Sequence, residues 1–482
     1  MNYQIIFFLI SHILRLEAVF MLPALAISLY QKETAASAGF LLTILLLSVL
    51  SLPGIGRPPE RKSFYAREGF VVVGLVWIVV SVFGALPFYV SGAIPNPIDC
   101  LFETVSGFTT TGASILTNVE ALPLSLLYWR SFTHWLGGMG VLVFLLAVLP
   151  MVKSGGNSLH LLRAESPGPQ VGKLLPRMHD SAKMLYGIYV ALTLIQIVLL
   201  LAGGMPLFDS VTTAFGTAGT GGFAIKNDSL ASYSVYLQAV VTVFMALFGI
   251  NFNIFYFLLI RDFSKVWKSE ELRAYLGIMF ASTALVAMDL MHTLQEPFGR
   301  ALHLASFQVS SIMTTTGFAT ADFNAWPELS RMILVLLMIL GACAGSTGGG
   351  IKSARVLILW RAARKNIERM LHPRAVRRVT IDDKIVDGDT IDGVNVYMTF
   401  YCIIIAVSAL LVSVDNFSFE TTITAVLSCL NNVGPGLDLV GPMGNYSAFS
   451  NFSKLILTGD MLIGRLEIFP MLFLFTPSVW KR

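Results

Sequence analysis

Ten long apolar stretches run along this 482-residue chain, and they constrain its fold more than any other feature. A helix that crosses the hydrocarbon core of a membrane needs about 20 mostly apolar residues. Only 13% of the residues are charged, against about 25% in a typical soluble domain, so the chain is predicted to be an integral membrane protein. The predicted spans cover residues 3–30, 36–54, 69–92, 126–150, 182–204, 233–260, 271–291, 329–360, 393–414 and 449–479.

The basic residues separate the loops between these spans into two sets. One set carries clusters of lysine and arginine, within 57–67, 153–183, 261–273 and 352–384, whereas the other set has few basic residues. The positive-inside rule therefore places the basic loops and both termini in the cytoplasm. The net charge of +4 is modest and gives no indication of a nucleic-acid-binding protein.

Four short loops rich in threonine and glycine recur at intervals of about a hundred residues, as in a chain with internal repeats. Each lies between two predicted spans on the basic-poor side. A single loop of this kind can be an ordinary extracellular connector. Four around one axis can instead form an ion-selective pore, because their carbonyl oxygens replace the water shell of a cation. We call them Thr/Gly loops 1 to 4: Thr109-Thr110-Thr111-Gly112, Ala218-Gly219-Thr220-Gly221, Thr314-Thr315-Thr316-Gly317 and Asn431-Asn432-Val433-Gly434.

Each Thr/Gly loop follows about ten amphipathic residues, enough for a short helix whose negative C-terminal end would favour cations. The predicted fold is an all-α polytopic membrane protein, with four span–pore loop–span pseudo-repeats around one central pore plus two N-terminal spans. The predicted boundaries are 1–62 for the two-span domain, then 63–165, 166–268, 269–385 and 386–482 for pore repeats 1 to 4.

Ten small residues, 341–350, interrupt the predicted span 329–360. Glycine costs a helix about 1 kcal/mol relative to alanine, so this helix is expected to break there. Close packing of helices through small residues is the alternative. A phosphate-binding loop does not fit, because Ile351 separates Gly350 from Lys352. We interpret this run of small residues as a flexible gate beneath the Thr/Gly loops.

Arg465 lies near the middle of the last predicted span, where an arginine costs about 2.5–3.5 kcal/mol on insertion. It is expected either to raise the barrier to cations beneath the loops or to form a buried ion pair with Asp460 or a loop carboxylate. Glu467 lies on a different face of the helix and is not expected to pair with it directly. His134 is interpreted as an interfacial residue. We find no nucleophile–base pair and no HExxH motif, so nothing in the sequence indicates an enzyme.

In this order the motifs resemble the TrkH/TrkG-type potassium uptake proteins of bacteria, within the Trk/Ktr/HKT superfamily, over nearly the whole chain. The extra N-terminal pair of spans resembles the Trk branch. The resemblance is carried by the residues Ser106-Gly107-Phe108-Thr109-Thr110-Thr111-Gly112, Trp135-Leu136-Gly137-Gly138-Met139-Gly140, Thr220-Gly221-Gly222-Phe223, Thr314-Thr315-Thr316-Gly317-Phe318, Gly345-Ser346-Thr347-Gly348-Gly349-Gly350-Ile351-Lys352, Asn432-Val433-Gly434-Pro435-Gly436 and Gly464-Arg465-Leu466-Glu467.

The resemblance implies a potassium-conducting homodimer in the bacterial cytoplasmic membrane, with a cytoplasmic TrkA-like nucleotide-binding regulatory subunit and no organic cofactor. It implies that Gly112, Gly221, Gly317 and Gly434 are the filter glycines, and that Gly345, Ser346, Thr347, Gly348, Gly349, Gly350, Lys352 and Arg465 form the gate. The expected potassium ligands are the carbonyls of Thr110, Thr111, Gly219, Thr220, Thr315, Thr316, Asn432 and Val433. A proton- or sodium-coupled symporter remains the alternative, although its inverted repeats would place irregular segments on opposite faces.

Overall fold

The computed structural model describes residues 1–55, 66–140, 178–372 and 378–480. Apart from short 3₁₀ turns and one two-stranded hairpin, the elements in these ranges are α-helices, which confirms the predicted all-α class. The helices are α1 Tyr3–Phe20, α2 Leu22–Tyr30, α3 Thr34–Ile55, α4 Ala66–Val90, α5 Pro97–Phe108, α6 Leu124–Gly138, α7 Met178–Ala202, α8 Leu207–Ala218, α9 Val235–Phe248, α10 Phe252–Leu259, α11 Phe263–Lys268, α12 Glu270–Thr293, α13 Phe298–Met313, α14 Glu328–Leu340, α15 Ser353–Leu371, α16 Gly388–Val412, α17 Phe419–Asn431, α18 Asn451–Arg465, α19 Phe469–Phe475 and α20 Pro477–Trp480.

The helices group as the predicted repeats suggest, although the boundaries at 62 and 165 lie outside the described residues. Helices α1 to α3 form the N-terminal pair of spans. We call the groups α4–α6, α7–α10, α12–α15 and α16–α19 repeats 1 to 4. In each repeat a long helix precedes a short one (α5, α8, α13 or α17) that ends at a Thr/Gly loop.

Among the described residues, the second span is broken in repeats 2, 3 and 4, whereas the sequence predicted a break only in 329–360. In repeat 2, α9 and α10 meet at an angle of 93°. In repeat 3, residues 341–352 separate α14 from α15. In repeat 4, α18 ends at Arg465, and Glu467 and Ile468 take left-handed φ values of 54° and 72°. In repeat 1, α6 ends at Gly138, and the rest of the predicted span 126–150 is described only to residue 140.

These breaks explain why ten predicted spans correspond to fewer uninterrupted ones. Among the described residues, six helices are long and apolar enough to cross a membrane, or seven when the bent pair α9 and α10 counts as one span. Large apolar side chains face outward along them, including Leu45, Val198 and Leu410, which are 62%, 63% and 72% exposed. An apolar exterior of this extent is what a protein surrounded by lipid presents.

One carboxylate of the N-terminal pair completes the start of a helix in repeat 1. Helix α6 begins after Pro123 and has no side-chain cap of its own. Glu33, between α2 and α3, accepts hydrogen bonds from the amides of Leu124 (2.7 Å) and Ser125 (3.2 Å) instead. A carboxylate at a helix N-terminus satisfies free amides and interacts favourably with the helix dipole.

A small hairpin follows the basic helix α15. Strand β1 (Thr380–Ile381) pairs antiparallel with β2 (Lys384–Ile385). The Asp382 carboxylate accepts a hydrogen bond from the Glu270 amide at 2.8 Å, and the Glu270 carboxylate pairs with Arg361 at 2.8 Å. These contacts join the hairpin to the start of α12 and to α15.

Candidate ion-conducting site

The four Thr/Gly loops meet in a closed ring. A Cβ atom added to one glycine of each loop would overlap, or come within van der Waals distance of, a backbone carbonyl of the next loop. Only glycine fits at such contacts. The contacts run in the order 1–2–3–4–1: Gly112 meets the carbonyl of Gly221, Gly222 that of Thr316, Gly317 that of Val433, and Gly434 that of Thr111. The loops therefore surround one axis.

Each short helix ends in the same backbone turn. An amide of the loop bonds to the carbonyl five residues earlier, and the residue before that amide is left-handed, as in a Schellman-type helix end. The bonds join Thr111 to Ser106 (2.9 Å), Gly221 to Gly216 (2.8 Å), Thr316 to Ser311 (2.8 Å) and Val433 to Ser428 (2.9 Å). The left-handed residues are Thr110 (φ 55°), Thr220 (φ 54°), Thr315 (φ 57°) and Asn432 (φ 56°).

This shared turn changes the register of Thr/Gly loop 2 by one residue relative to the sequence-based alignment. Gly222, with φ 75°, takes the place that Gly112 and Gly317 take in their loops, with φ values of 80° and 81°. Gly221 corresponds to Thr111, and Gly219 precedes the turn. Gly219 also has its carbonyl occupied by the Thr220 hydroxyl at 2.6 Å. Since two glycines follow Thr220, the residue types alone do not tell which of them adopts the positive φ.

A polar cavity of about 160 Å³ lies on one side of the ring. It is lined by the four glycines at the ring contacts, by residues 113–117 after loop 1, and by parts of 223–229 and 440–446. Gly222 lines this cavity and Gly221 does not, which agrees with the revised register. In the turn just before residues 440–446, hydrogen bonds from Ser418 and Thr421 hold the pKa of the Asp438 carboxyl below its usual value.

A buried ion pair connects the segments that follow loops 1 and 2. The Arg130 Nε atom lies 2.6 Å from a Glu103 carboxylate oxygen, and both side chains are almost fully buried. Glu103 also accepts a hydrogen bond from the Ile115 amide at 2.9 Å. Arg130 donates to the Ala224 carbonyl at 2.9 Å and lies 3.5 Å over the Phe223 ring. The sequence analysis gave neither residue a role. The available signal was Glu103, an acidic residue in a short, largely apolar helix, which needs a buried partner.

The sequence analysis interpreted His134 as an interfacial residue, but its side chain is fully buried between loops 1 and 2. Its Nδ1 atom lies 2.7 Å from the Gly107 carbonyl and its Nε2 atom lies 3.2 Å from the Phe223 amide. The carbonyl needs a donor and the amide needs an acceptor, so the ring is assigned as neutral with the proton on Nδ1. His134 therefore holds the end of α5 against the segment after loop 2.

The segment 345–350 lies directly beneath loops 3 and 4. The Gly349 amide donates to the Thr315 hydroxyl at 2.6 Å, and a Cβ on Gly348 would stand 2.9 Å from the Thr314 carbonyl. On its other side, the Phe252 amide of repeat 2 donates to the Gly345 carbonyl at 3.0 Å. The Lys352 ammonium group, which is buried, donates back to the Gly348 carbonyl.

Arg465 joins loop 1 to the segment 345–350. Its guanidinium donates to the Thr110 hydroxyl at 3.1 Å, to the Thr347 carbonyl at 2.9 Å and to the Gly138 carbonyl at 2.8 Å. The predicted ion-pair partner Asp460 accepts from the Ser408 hydroxyl at 2.7 Å instead. Glu467, which was not expected to pair with Arg465, pairs with Arg355. The predicted gate residues are thus brought together, within hydrogen-bond distance of loops 1 and 3.

Comparisons with known proteins agree over the whole chain. The model of the TrkH family, described as cation transport protein, matches residues 35–482. The Trk system potassium uptake protein TrkH of Salmonella typhimurium is 35% identical, over 95% of each chain. TrkG of Escherichia coli K12, also named a Trk system potassium uptake protein, is 32% identical over 97% of this chain and 96% of its own. The crystal structure of the potassium transporter TrkH from Vibrio parahaemolyticus superposes with a TM-score of 0.88 at 30% identity, over 100% of both chains.

Proposed function

Since the chain belongs to the TrkH family of cation transport proteins, we propose that it takes up potassium through the ring of Thr/Gly loops. The family is one of transporters and not of enzymes. Curated relatives similar to this chain over 95% of its length are named for potassium uptake, which supports potassium as the ion. The observation that carries the proposal is the closed ring in which each loop's glycine contacts the backbone of the next.

In this proposal the ring is a selectivity filter. Potassium is coordinated by backbone carbonyls that replace its water, from Thr110, Thr111, Thr220, Gly221, Thr315, Thr316, Asn432 and Val433. Gly112, Gly222, Gly317 and Gly434 let the backbone turn. The four short helices end at this ring, so their negative C-terminal ends favour a cation there.

Below the filter, residues 345–350 with Lys352 and Arg465 act as the gate. The segment lies under loops 3 and 4, so an ion that leaves the ring meets it next. The guanidinium of Arg465 adds a positive charge at the same level, which repels a cation. Uptake needs the segment to move, and an inside-negative potential then supplies about 2.3 kcal/mol per charge for each 100 mV.

We further propose a homodimer in the bacterial cytoplasmic membrane, with both termini in the cytoplasm and four pore repeats with the boundaries given above. The positive-inside pattern supports this orientation. The relatives' "Trk system" names support an assembly with further Trk components. We expect a TrkA-like nucleotide-binding subunit to contact the basic residues within 352–384 and to move the gate.

Flux measurements on the purified chain test the function. Proteoliposomes loaded with potassium should take up radioactive rubidium, and external potassium should compete with it. Vesicles made without protein are one control. Proteoliposomes with external sodium in place of the competing potassium are the other. A lack of rubidium uptake, with and without the regulatory subunit, contradicts the proposal. A requirement for a sodium or proton gradient at fixed membrane potential would favour the coupled symporter.

A further inference from the structure

The segment 345–350 is closed at its base by a carboxylate from another helix. Glu271, the second residue of α12, is 2% exposed. One of its carboxylate oxygens accepts hydrogen bonds from the Ala344 amide at 2.6 Å and from the Ala354 amide at 3.1 Å. Ala344 comes directly before the segment, and Ala354 follows it just inside α15. A single oxygen therefore holds both ends of the segment.

The same carboxylate completes the start of α15. Lys352, at the N-cap position, provides no side-chain hydrogen bond to the first turn. The first amides of a helix have no partner within the helix, and a negative group there is favourable. Glu271 satisfies one of these amides from outside, so one side chain contributes both to the position of α15 and to the base of the segment.

Lys352 and Arg465 also donate charge-assisted bonds to the segment, at the Gly348 and Thr347 carbonyls, whereas its contacts with loop 3 and repeat 2 are of a different kind. Gly349 bonds to the Thr315 hydroxyl, and Cys343 bonds to the Gly249 carbonyl at 3.0 Å. These bonds join neutral groups, whereas a bond to a carboxylate is about twice as strong. The contacts with loop 3 and repeat 2 are therefore easier to break than the base. A segment with such contacts moves as a flap about its two ends.

We propose that Glu271 is a positioning residue for the gate: its carboxylate clamps Ala344 and Ala354 and so fixes where residues 345–350 rest beneath the ring. This inference depends on the proposed role of 345–350 as the gate. Loss of the clamp lets residues 345–350 move, so ions pass even when no regulatory subunit is bound.

The test compares three variants of the full chain in rubidium flux without the regulatory subunit. Glu271→Ala should raise flux on the order of tenfold, since a charge-assisted bond is worth at least that factor. Glu271→Gln keeps an acceptor without the charge and should raise flux less. Glu270→Gln is the matched control, because the Glu270 carboxylate is next to Glu271 in the chain but contacts Arg361 and the hairpin instead of the segment. The flux of this variant should equal that of the unmodified chain.

Amide hydrogen exchange supplies a readout that does not depend on flux. The amides of Ala344 and Ala354 should exchange slowly in the unmodified chain and in Glu270→Gln, and faster in Glu271→Gln. Unchanged exchange overturns the clamp. Faster exchange in Glu271→Gln with unchanged or lower rubidium flux overturns the proposal that Glu271 positions the gate. If the unmodified chain carries no rubidium either with or without the regulatory subunit, the proposed function fails, while the exchange result still decides the clamp. Should Glu271→Ala not fold, Glu271→Gln carries both measurements.

Discussion

Threonine in the left-handed region is uncommon, yet Thr110, Thr220 and Thr315 all adopt it in the Thr/Gly loops. Backbone strain of this kind costs on the order of 1–3 kcal/mol and persists only where the surroundings hold it. Two of these residues bond to the broken helices below the ring: the Thr110 hydroxyl accepts from Arg465, and the Thr315 hydroxyl accepts from the Gly349 amide. The Thr220 hydroxyl donates within its own loop, to the Gly219 carbonyl.

A side chain at a ring glycine should destroy the filter. In Gly317→Val, the new Cβ would overlap the Val433 carbonyl at a φ of 81°, which adds strain of about 1–3 kcal/mol to the clash. We expect selective rubidium uptake to fall to background in proteoliposomes. Gly299→Ala, where a Cβ meets nothing within 4 Å, should behave as the unmodified chain. Normal selectivity in Gly317→Val would exclude the ring as the filter.

Removing the charge at Arg465 should speed conduction. Arg465→Gln takes away a positive charge next to loop 1 and the bond to the Thr347 carbonyl, so both the electrostatic barrier and one restraint on the segment are lost. Regulator-free rubidium flux is expected to rise severalfold. Arg364→Gln serves for comparison, since its side chain is 73% exposed and pairs within α15. Equal flux in a folded Arg465→Gln protein would contradict its place in the gate.

The Glu103–Arg130 pair should matter for stability. Removing one partner of a buried ion pair leaves an uncompensated charge and typically costs about 3–5 kcal/mol. We therefore expect Glu103→Gln to lower the thermal unfolding midpoint in detergent clearly. Glu328→Gln breaks a pair whose acid is 87% exposed, and such pairs contribute about 0–1 kcal/mol. Similar midpoints for both variants would show that the buried pair does little.

Among the elements, the broken second helices of repeats 2, 3 and 4 meet around the proposed gate. The sequence predicted one break, because ten small residues stand out in an apolar run. The breaks in repeats 2 and 4 take only a few residues, 249–251 and 466–468, and the apolar pattern continues through them. The left-handed φ values of Glu467 and Ile468 cannot be read from residue types, since neither residue favours that conformation.

Residue patterns predicted the structure of a loop where only one residue could take a given backbone conformation. In loops 1, 3 and 4 a single glycine follows the turn, so the register could be predicted; in loop 2, Gly221 and Gly222 compete. An arginine in an apolar span needs polar partners, so a polar environment for Arg465 could be predicted. Its actual partners are mostly backbone carbonyls, and these are set by the helix breaks that the sequence did not reveal.

Deleting the gate segment should open the path. Removal of residues 345–350 takes away the backbone beneath loops 3 and 4, and regulator-free rubidium flux is expected to rise. Asp383→Gly, a change in the hairpin turn where φ is 62°, controls for handling of the protein and should leave flux unchanged. Unchanged flux in a folded deletion variant would mean that this segment is not the barrier.

At the scale of the whole molecule, the basic-poor side carries all four Thr/Gly loops. A variant whose exposed Cys402 is replaced gives a background for labelling. On intact cells, Lys226→Cys, which follows loop 2, should react with a membrane-impermeant thiol reagent. Lys365→Cys, which lies on α15, should react only after the cells are permeabilised. The reverse pattern would invert the proposed orientation.

The ring is closed by four loops that one chain supplies, and this has a consequence for how such a pore can change. In a pore of four identical subunits, any substitution in the loop is imposed on all four quadrants at once. Here it alters one quadrant and touches only its two neighbours, because each glycine packs against the next loop alone. One quadrant can therefore carry Asn432-Val433 where another has Thr110-Thr111, and the gate can attach beneath loops 3 and 4 while the opposite half keeps its own contacts.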